Sequence, residues 1–437
     1  MNIRQLFAPI LLLSAITMVL SITACSNGDE DPVDPPVYLP TSDLTVDLSK
    51  EYQEITGFGA CNSVFRGASN FPDQSDMQKA YGTGTNDLGL SIFRVSIPAD
   101  PAQWEAIAAV AAYAQQQGAI VFASPWNAPQ GMLDSNSTEK RILPEKYDDY
   151  VKHLNDFNAF MSSHGVDLYA ISIQNEPDIG DWTRWKPAEV AEFMKNHANG
   201  LTNAHVITAE SFNFNRTYYD DILNDPVAVN NFEIVGGHIY GNGLGAYPLA
   251  EQKGKEIWMT EYLLNESSDN VSVADWSALS QQEKWTQSMR MLRTVHEAME
   301  SNWNAYVWWY LKRYYSFIGD GLEGSTAGEV LKRGYAFSQY ARFIRPGYRR
   351  VDVNIQNDNG LLITAYKHSD ESVLVILNPT ITGVKAHIAL AGKTIASGTS
   401  YTTSLTDNRK AASLNVTDNT VTSEIPGSGV TTVVLKL

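Results

Sequence analysis

The chain has 437 residues, of which 43% are hydrophobic, 19% charged and 11% aromatic, and its formal net charge is −17. This composition excludes a disordered or collagen-like chain, and the length allows one domain of about 250 residues with a smaller second one. The negative charge argues against a nucleic-acid partner, because such partners are held mainly by lysine and arginine. No apolar run of roughly 18 residues follows the N-terminal segment, so no membrane-spanning helix is expected in the body of the chain.

The first 25 residues have the parts of an export signal. Arg4 gives a positive start, Leu6–Leu20 is apolar, and small residues ending in Ala24 precede Cys25. A cysteine at this point resembles the lipobox of bacterial lipoproteins, although an ordinary signal peptide with a chance cysteine is the alternative. The only other cysteine is Cys61, so no disulfide framework explains the thiol. We predict a lipoprotein signal over residues 1–24 and lipidation of Cys25.

Residues 25–40 are acidic and rich in proline, without apolar periodicity. Such a stretch cannot bury enough surface to offset its ordering entropy, which predicts an extended tether. Acidic residues after a lipidated cysteine also resemble the surface-export signal of Bacteroidetes lipoproteins, although an acidic linker is also simply soluble. We therefore expect an exported lipoprotein, held by its lipid at the outer membrane and exposed at the cell surface.

From residue 55 onward, short apolar strands alternate with amphipathic helices. Strands are predicted at Ile55–Ala60, Ser91–Ile97, Ile120–Ser124, Leu168–Gln174, Val206–Glu210, Ile234–His238, Glu256–Thr260 and Ala305–Trp309. Helices are predicted at Pro101–Gln117, Tyr147–His164, Pro187–Leu201 and Gln281–Ser301. Eight such units predict an α/β fold in which residues 55–345 form a closed (β/α)8 barrel (a TIM barrel) with a parallel sheet. A doubly wound open sheet is the alternative.

After residue 345 the pattern changes to strands separated by turns. They are predicted at Gly360–Tyr366, Ser372–Leu377, Lys385–Leu390 and Val430–Leu437. This pattern is typical of an antiparallel β-sandwich, which we assign to residues 346–437 as a side domain. Residues 41–54 alternate in the same way and are predicted to supply an N-terminal strand to that domain.

Two glutamates follow predicted barrel strands: Glu176 after the fourth and Glu261 after the seventh. Chemistry in such barrels lies at the C-terminal ends of the strands. Strands four and seven are nearly opposite, so two carboxylates there can flank a bound sugar, as glycoside hydrolysis requires. One such glutamate alone would more often be a helix cap or a surface charge. Two together, each partly desolvated, favour a catalytic pair.

Other strand ends carry aromatic and polar residues that suit a sugar site. They are Trp126, Asn127, His238, Tyr240, Trp309 and Tyr310. Aromatic rings can stack on pyranose faces, although core packing explains buried tryptophans equally well. Asn175 could donate a hydrogen bond to a sugar 2-hydroxyl, and Arg94 could keep a carboxylate ionised.

Five motifs in order resemble glycoside hydrolase family 30, and more narrowly its bacterial glucuronoxylanase subfamily. They are Gly57–Gly59, Phe122–Asn127, Tyr169–Pro177, Trp258–Glu261 and Tyr306–Tyr310. The resemblance runs from about residue 41 to the C-terminus. It implies a (β/α)8 barrel with a side β-domain built from both chain ends, and a retaining endo-β-1,4-xylanase. Glu176 matches the general acid/base of the family, and Glu261 matches the nucleophile.

The family's motif for a 4-O-methylglucuronic acid branch, Trp-Tyr-x-x-Arg-x-Tyr, matches from Trp309 to Tyr315. The resemblance implies that the partner is xylan with glucuronic acid branches, and that Arg313 binds the branch carboxylate. An acidic protein that binds an acidic polymer needs such a local cation, and the planar guanidinium suits a carboxylate. An exposed surface ion pair is the alternative for Arg313.

Two departures from the family pattern bear on the branch. Leu263 stands where the family has a tyrosine, and the serine that follows fits only as Ser267 or Ser268 with one residue inserted. The first barrel loop, Cys61–Phe65, lacks the family's tryptophan. These departures predict a weaker dependence on the branch.

Other functions remain open. A general endo-xylanase or related β-glycanase without branch dependence would not need Arg313, and a non-catalytic surface glycan-binding lipoprotein would not need two opposed glutamates. Gly241–Ala246 fits a loose nucleotide-binding pattern with Glu261 twenty residues further on, but Pro248 is expected to break the helix that must follow. No zinc-type cluster or calcium loop occurs, so no metal or other cofactor is expected. We expect the protein to be a monomer.

Overall fold

The structure, a computed structural model, describes residues 38–62, 71–264 and 276–437. The predicted export signal, Cys25 and residues 26–37 of the tether lie outside the described residues, as do Phe65, Ser267 and Ser268. Among the helices of the described ranges, none has both the length and the apolar character to cross a membrane.

Strand β1 (Thr41–Glu54) belongs to the side sheet, and the next eight strands form a closed barrel. These are β2 (Gly57–Cys61), β3 (Ile92–Ile97), β4 (Ile120–Pro125), β5 (Leu168–Ser172), β6 (His205–Ile207), β7 (Ile234–His238), β8 (Glu256–Glu261) and β9 (Ala305–Trp309). Each pairs in parallel with the next, and β9 pairs with β2. The predicted (β/α)8 barrel is therefore confirmed, and the open-sheet alternative is wrong.

Eight α-helices are present in the described ranges. They are α1 (Gln74–Tyr81), α2 (Trp104–Gln116), α3 (Tyr147–Ser163), α4 (Pro187–Asn196), α5 (Asp220–Asn224), α6 (Pro248–Gln252), α7 (Gln281–Glu300) and α8 (Lys332–Ala341). The four predicted helices correspond to α2, α3, α4 and α7. Helices α5 and α6 are too short to show a periodic pattern. The expectation that Pro248 breaks a helix was wrong, because it stands in the first turn of α6, where proline is tolerated.

The barrel interior changes from apolar to polar along the strands. A first layer, near the N-terminal ends, consists of Ile92, Phe122, Ala170, Ile207, Ile234, Trp258 and Ala305 with Val307 beside them. Two residues further along three of these strands stand Arg94, Ser124 and Thr260, all completely buried. Because side chains alternate along a strand, these polar groups also point into the barrel. The polar layer supports the end at which the two glutamates lie.

The side domain is one ten-stranded sheet. After β1 it contains β10 (Arg349–Gln356), β11 (Leu362–His368), β12 (Glu371–Asn378), β13 (Val384–Leu390), β14 (Ser397–Thr403), β15 (Lys410–Leu414), β16 (Val416–Thr417), β17 (Thr420–Ile425) and β18 (Gly429–Lys436). The spatial order is β15-β14-β18-β12-β11-β10-β1-β13-β17-β16. Strand β1 is antiparallel to β10 and parallel to β13, so the sheet is mixed, although mostly antiparallel.

Opposite ends of this sheet share one apolar core, which gives the sandwich arrangement. Leu435 of β18 and Val421 of β17 are fully buried in the same cluster as Val46 of β1. Strands β10 and β14–β17 were not predicted, because their sequences are rich in threonine, serine and charged residues and expose one face. Buried hydrogen bonds join the sheet to the barrel: Gln339 of α8 donates to the Thr403 hydroxyl and accepts from that of Thr432.

Candidate active site

Glu261 ends β8 with its side chain almost completely buried. The guanidinium of Arg94 donates to its Oε2 at 2.5 Å, and the Tyr240 hydroxyl donates to its Oε1 at 3.0 Å. Burial raises the pKa of Glu261, and the positive charges of His238 and Arg94 oppose that rise. Two donors, one in β3 and one just after β7, therefore hold both oxygens of this carboxylate in one orientation.

Glu176 lies in the turn after β5, in the left-handed backbone region at a φ of 44°. For a residue other than glycine this conformation costs roughly 1 kcal/mol or more and needs support from the surroundings. That support is present: the backbone N–H of Glu176 donates to the carbonyl of Glu210 at 2.8 Å, and the N–H of Asn175 donates to that of Pro125 at 2.9 Å. The turn directs the carboxylate into the barrel mouth.

The two glutamates face each other there. One oxygen of Glu176 and one of Glu261 lie within 4.8 Å, and a ring nitrogen of His238 lies within the same distance of both. Trp182 Nε1 donates to Glu176 Oε2 at 2.9 Å. The structure thus brings together the two residues that the sequence singled out as a catalytic pair.

Beneath the pair lies a third carboxylate, Glu210, which the sequence analysis did not include among the site residues. It is completely buried, and its Oε2 lies 3.1 Å from the guanidinium of Arg94. Burial alone would raise the pKa of Glu210, but the charges of Arg94 and His238 outweigh it and lower the pKa below its ordinary value. Glu210 is therefore ionised across the physiological range.

Arg94 is the centre of this cluster. Besides its hydrogen bond to Glu261 and its ion pair with Glu210, it donates to Asn175 Oδ1 at 2.6 Å and to Ser124 Oγ at 3.2 Å. Its guanidinium lies 4.6 Å from the centre of the Trp126 ring. Burial would lower the pKa of Arg94, but Glu210 and Glu261 raise it above its ordinary value. The guanidinium therefore carries a permanent charge beside the two carboxylates.

His238 is completely buried between the three carboxyl groups. Its Nδ1 lies 2.9 Å from Glu176 Oε1, and its Nε2 lies 3.7 Å from Glu210 and 3.9 Å from Glu261. Burial alone would lower the pKa of His238, but the charge of Glu261, the hydrogen bond to Glu176 and the nearby carboxylate of Glu210 raise it to about 9. The imidazole is therefore protonated at neutral pH, and Nδ1 donates to Glu176.

The cluster contains two cations, Arg94 and His238, and three carboxyl groups, those of Glu176, Glu210 and Glu261. It is electrically neutral when one carboxyl group carries a proton. A buried group of charges is least costly when it is balanced. The arrangement can thus supply one carboxylic acid and one carboxylate to a bound substrate.

The predicted aromatic residues border this cluster. The rings of Trp126 and Trp309 are 5.9 Å apart, and Tyr240 stacks on Phe212 at 4.8 Å. Tyr310 is completely buried. Asn127 is partly exposed and accepts a hydrogen bond from Lys140 at 3.2 Å.

The residues predicted for branch recognition lie in the loops after β8 and β9. Arg313 keeps 16% of its side chain exposed, and its Nη1 lies 3.8 Å from Asp320 Oδ2, which is beyond hydrogen-bond distance. Tyr315 and Leu263 are 3% and 5% exposed. Arg313 is therefore neither an exposed surface arginine nor one held by a hydrogen-bonded carboxylate in the described part of the chain.

Glu210 and Trp182 are the site residues that the sequence reasoning missed. Glu210 is the last residue of a predicted strand and Glu261 directly follows one, so a similar signal was present and could have been used. Trp182 lies in an irregular loop after β5, where no periodic pattern marks it.

Glu176, His238 and Glu261 each offer one ligand atom to a metal ion. His238 would first have to lose its proton, and the adjacent guanidinium of Arg94 repels a cation. These two charges disfavour a resident metal at this position.

No protein-family model matches the chain. Over 409 residues it is 37% identical to the "Glucuronoxylanase XynC" of Bacillus subtilis. This alignment covers 90% of this chain and 92% of that protein. The crystal structure of a GH30 endoxylanase from Clostridium papyrosolvens C71 is 35% identical, with a TM-score of 0.79 over 90% of this chain and 100% of that one. A glycoside hydrolase family 30 subfamily 8 xylanase, Xyn30A from Clostridium acetobutylicum, has the same score and coverage at 28% identity.

The raised pKa of His238 predicts a pH-dependent part of stability. A base whose pKa is higher in the folded state stabilises the fold fully below its unfolded value of 6.5 and loses that contribution as pH rises through about 9. His238→Gln should therefore lose less stability than the wild type between pH 6 and 10, by on the order of 3 kcal/mol. Urea unfolding across this range measures the difference.

His296→Gln is the matched control. Burial and the nearby Arg350 lower the pKa of His296 to about 4, so this histidine is neutral throughout the same range. The control should keep the pH dependence of the wild type. An unchanged pH dependence in His238→Gln would show that the imidazole is neutral in the fold.

Proposed function

The chain belongs to glycoside hydrolase family 30, among its glucuronoxylanases, and we propose that Glu176 and Glu261 cleave the xylan backbone by a retaining double displacement. The observation that carries this proposal is the pair of buried carboxylates whose oxygens lie within 4.8 Å. Retaining enzymes need carboxyl groups about 5–5.5 Å apart, whereas inverting enzymes need about 6.5–9.5 Å to admit a water molecule. The narrow separation supports attack by the enzyme itself.

Glu261 is the nucleophile in this proposal. Arg94 and Tyr240 hold its carboxylate in place, so little reorganisation is needed when it attacks the anomeric carbon. At the same time Glu176 gives its proton to the departing glycosidic oxygen, and a covalent xylosyl ester forms on Glu261. In the second step the Glu176 carboxylate takes a proton from water, the hydroxide attacks the same carbon, and Glu261 is released.

Asn175 and His238 orient the reacting groups. Arg94 fixes Oδ1 of Asn175, so its buried amide nitrogen, which makes no hydrogen bond within the described residues, can donate to the sugar 2-hydroxyl. That contact strengthens in the oxocarbenium-like transition state. His238 and Trp182 hold the Glu176 carboxyl group from two sides.

Glu261→Gln should lower kcat on xylan at least about 10³-fold, because the amide cannot form the ester intermediate. The variant should still fold, because Glu210 continues to compensate the charge of Arg94. Proton NMR of the first products should show the β-anomer for the wild type, the outcome of retention.

Glu256→Gln is the matched control, because Glu256 begins the same strand at the opposite end of the barrel. Its carboxylate accepts hydrogen bonds from the Thr56 hydroxyl and from Trp258 Nε1. Residues at that end serve stability rather than chemistry, so this variant should keep its kcat. Substantial hydrolysis by Glu261→Gln, or an α-anomer as first product, would contradict the assignment.

We propose that Arg313 binds the carboxylate of a glucuronic acid branch and fixes the cleavage position relative to it. Its guanidinium is partly buried and lies 3.8 Å from Asp320. A substrate carboxylate can therefore accept hydrogen bonds from the N–H groups of Arg313. A branch contact also explains why an acidic protein places an arginine in this loop. Leu263 cannot supply a hydroxyl to the branch, which supports a modest rather than strict dependence.

Arg313→Ala should lose most of the preference for glucuronoxylan over unbranched arabinoxylan. A charge-assisted hydrogen bond is worth about 1.5–3 kcal/mol, which corresponds to roughly 10–150-fold in relative kcat/KM. Because Leu263 replaces the family's tyrosine, we expect the preference of the wild type to lie near the lower end of this range. Kinetics on both substrates, with masses of the products, measures the preference.

Arg216→Ala serves as the control for Arg313→Ala. The guanidinium of Arg313 lies 5.2 Å from the centre of the Tyr314 ring, and that of Arg216 lies 4.5 Å from the centre of the Tyr247 ring. Arg216 is distant in sequence from the branch motif. Its loss should leave the preference unchanged. Equal preference in wild type and Arg313→Ala would favour the alternative, a family member that cleaves xylan without reading the branch.

We further propose that the protein is a lipoprotein held at the outer membrane through Cys25 and exposed at the cell surface. The apolar segment, the small residues before Cys25 and the acidic tether support this placement. An enzyme that acts on a polymer too large to enter the cell benefits from such a position.

Cys25→Ala should abolish incorporation of a labelled fatty acid and move the protein from the membrane fraction to the soluble fraction. Cys61→Ala is the control, because Cys61 is buried in the barrel and is the only other cysteine. Continued labelling of Cys25→Ala would contradict lipidation at this residue.

A further inference from the structure

Arg333, in the first turn of α8, is 3% exposed and joins three other elements. Its Nη1 donates to the backbone carbonyl of Tyr315 at 2.7 Å and to that of Leu264 at 3.2 Å. Its Nη2 donates to Gln287 Oε1 of α7 at 2.8 Å. One guanidinium thus connects the loops that follow β8 and β9.

No carboxylate in the described part of the chain pairs with Arg333. The guanidinium instead lies 5.1 Å from the centre of the Trp276 ring and 5.6 Å from that of Trp308, and its Nε has no hydrogen-bond partner within the described residues. Burial lowers the pKa of Arg333, although the group stays protonated. Within the described residues, the acceptors of this buried charge are two backbone carbonyls and one side-chain amide, which ties the guanidinium to the backbone that it holds.

The two carbonyls that Arg333 holds belong to the loops that carry the proposed branch site. Leu264 follows Leu263 directly, and Tyr315 ends the branch motif two residues after Arg313. We propose that Arg333 is a positioning residue for branch selectivity: it fixes the distance between these loops and thereby the place of Arg313. The proposal rests on the proposed role of Arg313 in binding the branch.

The base of the second loop has other support, so its folding does not depend on Arg333 alone. The N–H of Leu311 donates to the carbonyl of Cys61 at 2.7 Å, and Trp308 Nε1 donates to Ser316 Oγ at 3.1 Å. Arg333 acts instead on Tyr315, between Arg313 and the end of the loop. Its removal should therefore shift the branch-binding residues more than the catalytic glutamates.

The test is the ratio of kcat/KM on glucuronoxylan to that on unbranched arabinoxylan. Arg333→Met should lower this ratio about tenfold, through a higher KM on the branched substrate, and should keep kcat on the unbranched one. Arg333→Lys retains the charge but not the planar guanidinium. Its ratio should lie between those of the wild type and Arg333→Met. If Arg333→Met does not fold, Arg333→Lys tests the same prediction.

Arg409→Met is the matched control. Arg409 is also a buried arginine that donates to two backbone carbonyls, those of Asp87 and Thr85, and lies near a tyrosine ring. It lies in the side domain, so its loss should lower the melting temperature as Arg333→Met does and leave the ratio unchanged.

A double variant separates positioning from general support. If Arg333 acts through Arg313, then Arg313→Ala with Arg333→Met should have the same ratio as Arg313→Ala alone. A wild type without preference for branched xylan would contradict the proposed branch site itself. A wild type with that preference, together with an unchanged ratio in Arg333→Met or an equal loss on both substrates, would overturn the role of Arg333.

Discussion

The active site depends on one buried guanidinium. Arg94 stands completely buried inside the barrel and contacts Glu210, Glu261 and Asn175 together. Removing one partner of such a buried pair typically costs about 3–5 kcal/mol, because the other charge is left without compensation. The proposed nucleophile, the amide proposed to contact the sugar and the third carboxylate are therefore fixed by the same side chain.

The barrel makes this arrangement possible. Its lower layer is filled by rings such as Phe122 and Trp258, whose planes meet nearly at right angles at 5.5 Å. Above them the side chains become polar, so Arg94 finds acceptors where a purely apolar barrel would have none. The strained turn at Glu176 is held by bonds to the neighbouring strand ends. The strained backbone of Glu176 and the buried charges thus lie at the C-terminal end of the barrel, above its packed apolar layer.

Much of this could be predicted from the sequence, because strand ends leave a regular signal. An apolar run followed by a carboxylate marked Glu176 and Glu261, and the repeated alternation of strands and helices indicated the closed barrel. The structure places Arg94, Asn175, His238 and Tyr240, which the sequence analysis named, around the two glutamates. The prediction was possible because each of these residues lies in or directly after a buried strand.

What could not be predicted depends on distances between side chains. Glu210 follows the same rule as Glu261, but only the structure shows that Arg94 lies between them. The charge of His238 arises from three carboxylates on different strands, which no local pattern reveals. The polar strands β14–β17 gain their place from pairing across the sheet rather than from their own hydrophobicity.

Any of the three buried glutamates could in principle act as the nucleophile. The most direct test identifies the one that forms the ester with the sugar. A 2-deoxy-2-fluoro-xylobiosyl fluoride slows the second step, so the covalent intermediate accumulates and can be located by mass spectrometry of peptides. The account predicts one sugar on the peptide containing Glu261 and none on those containing Glu176 or Glu210. A label on either of the other two glutamates would contradict it.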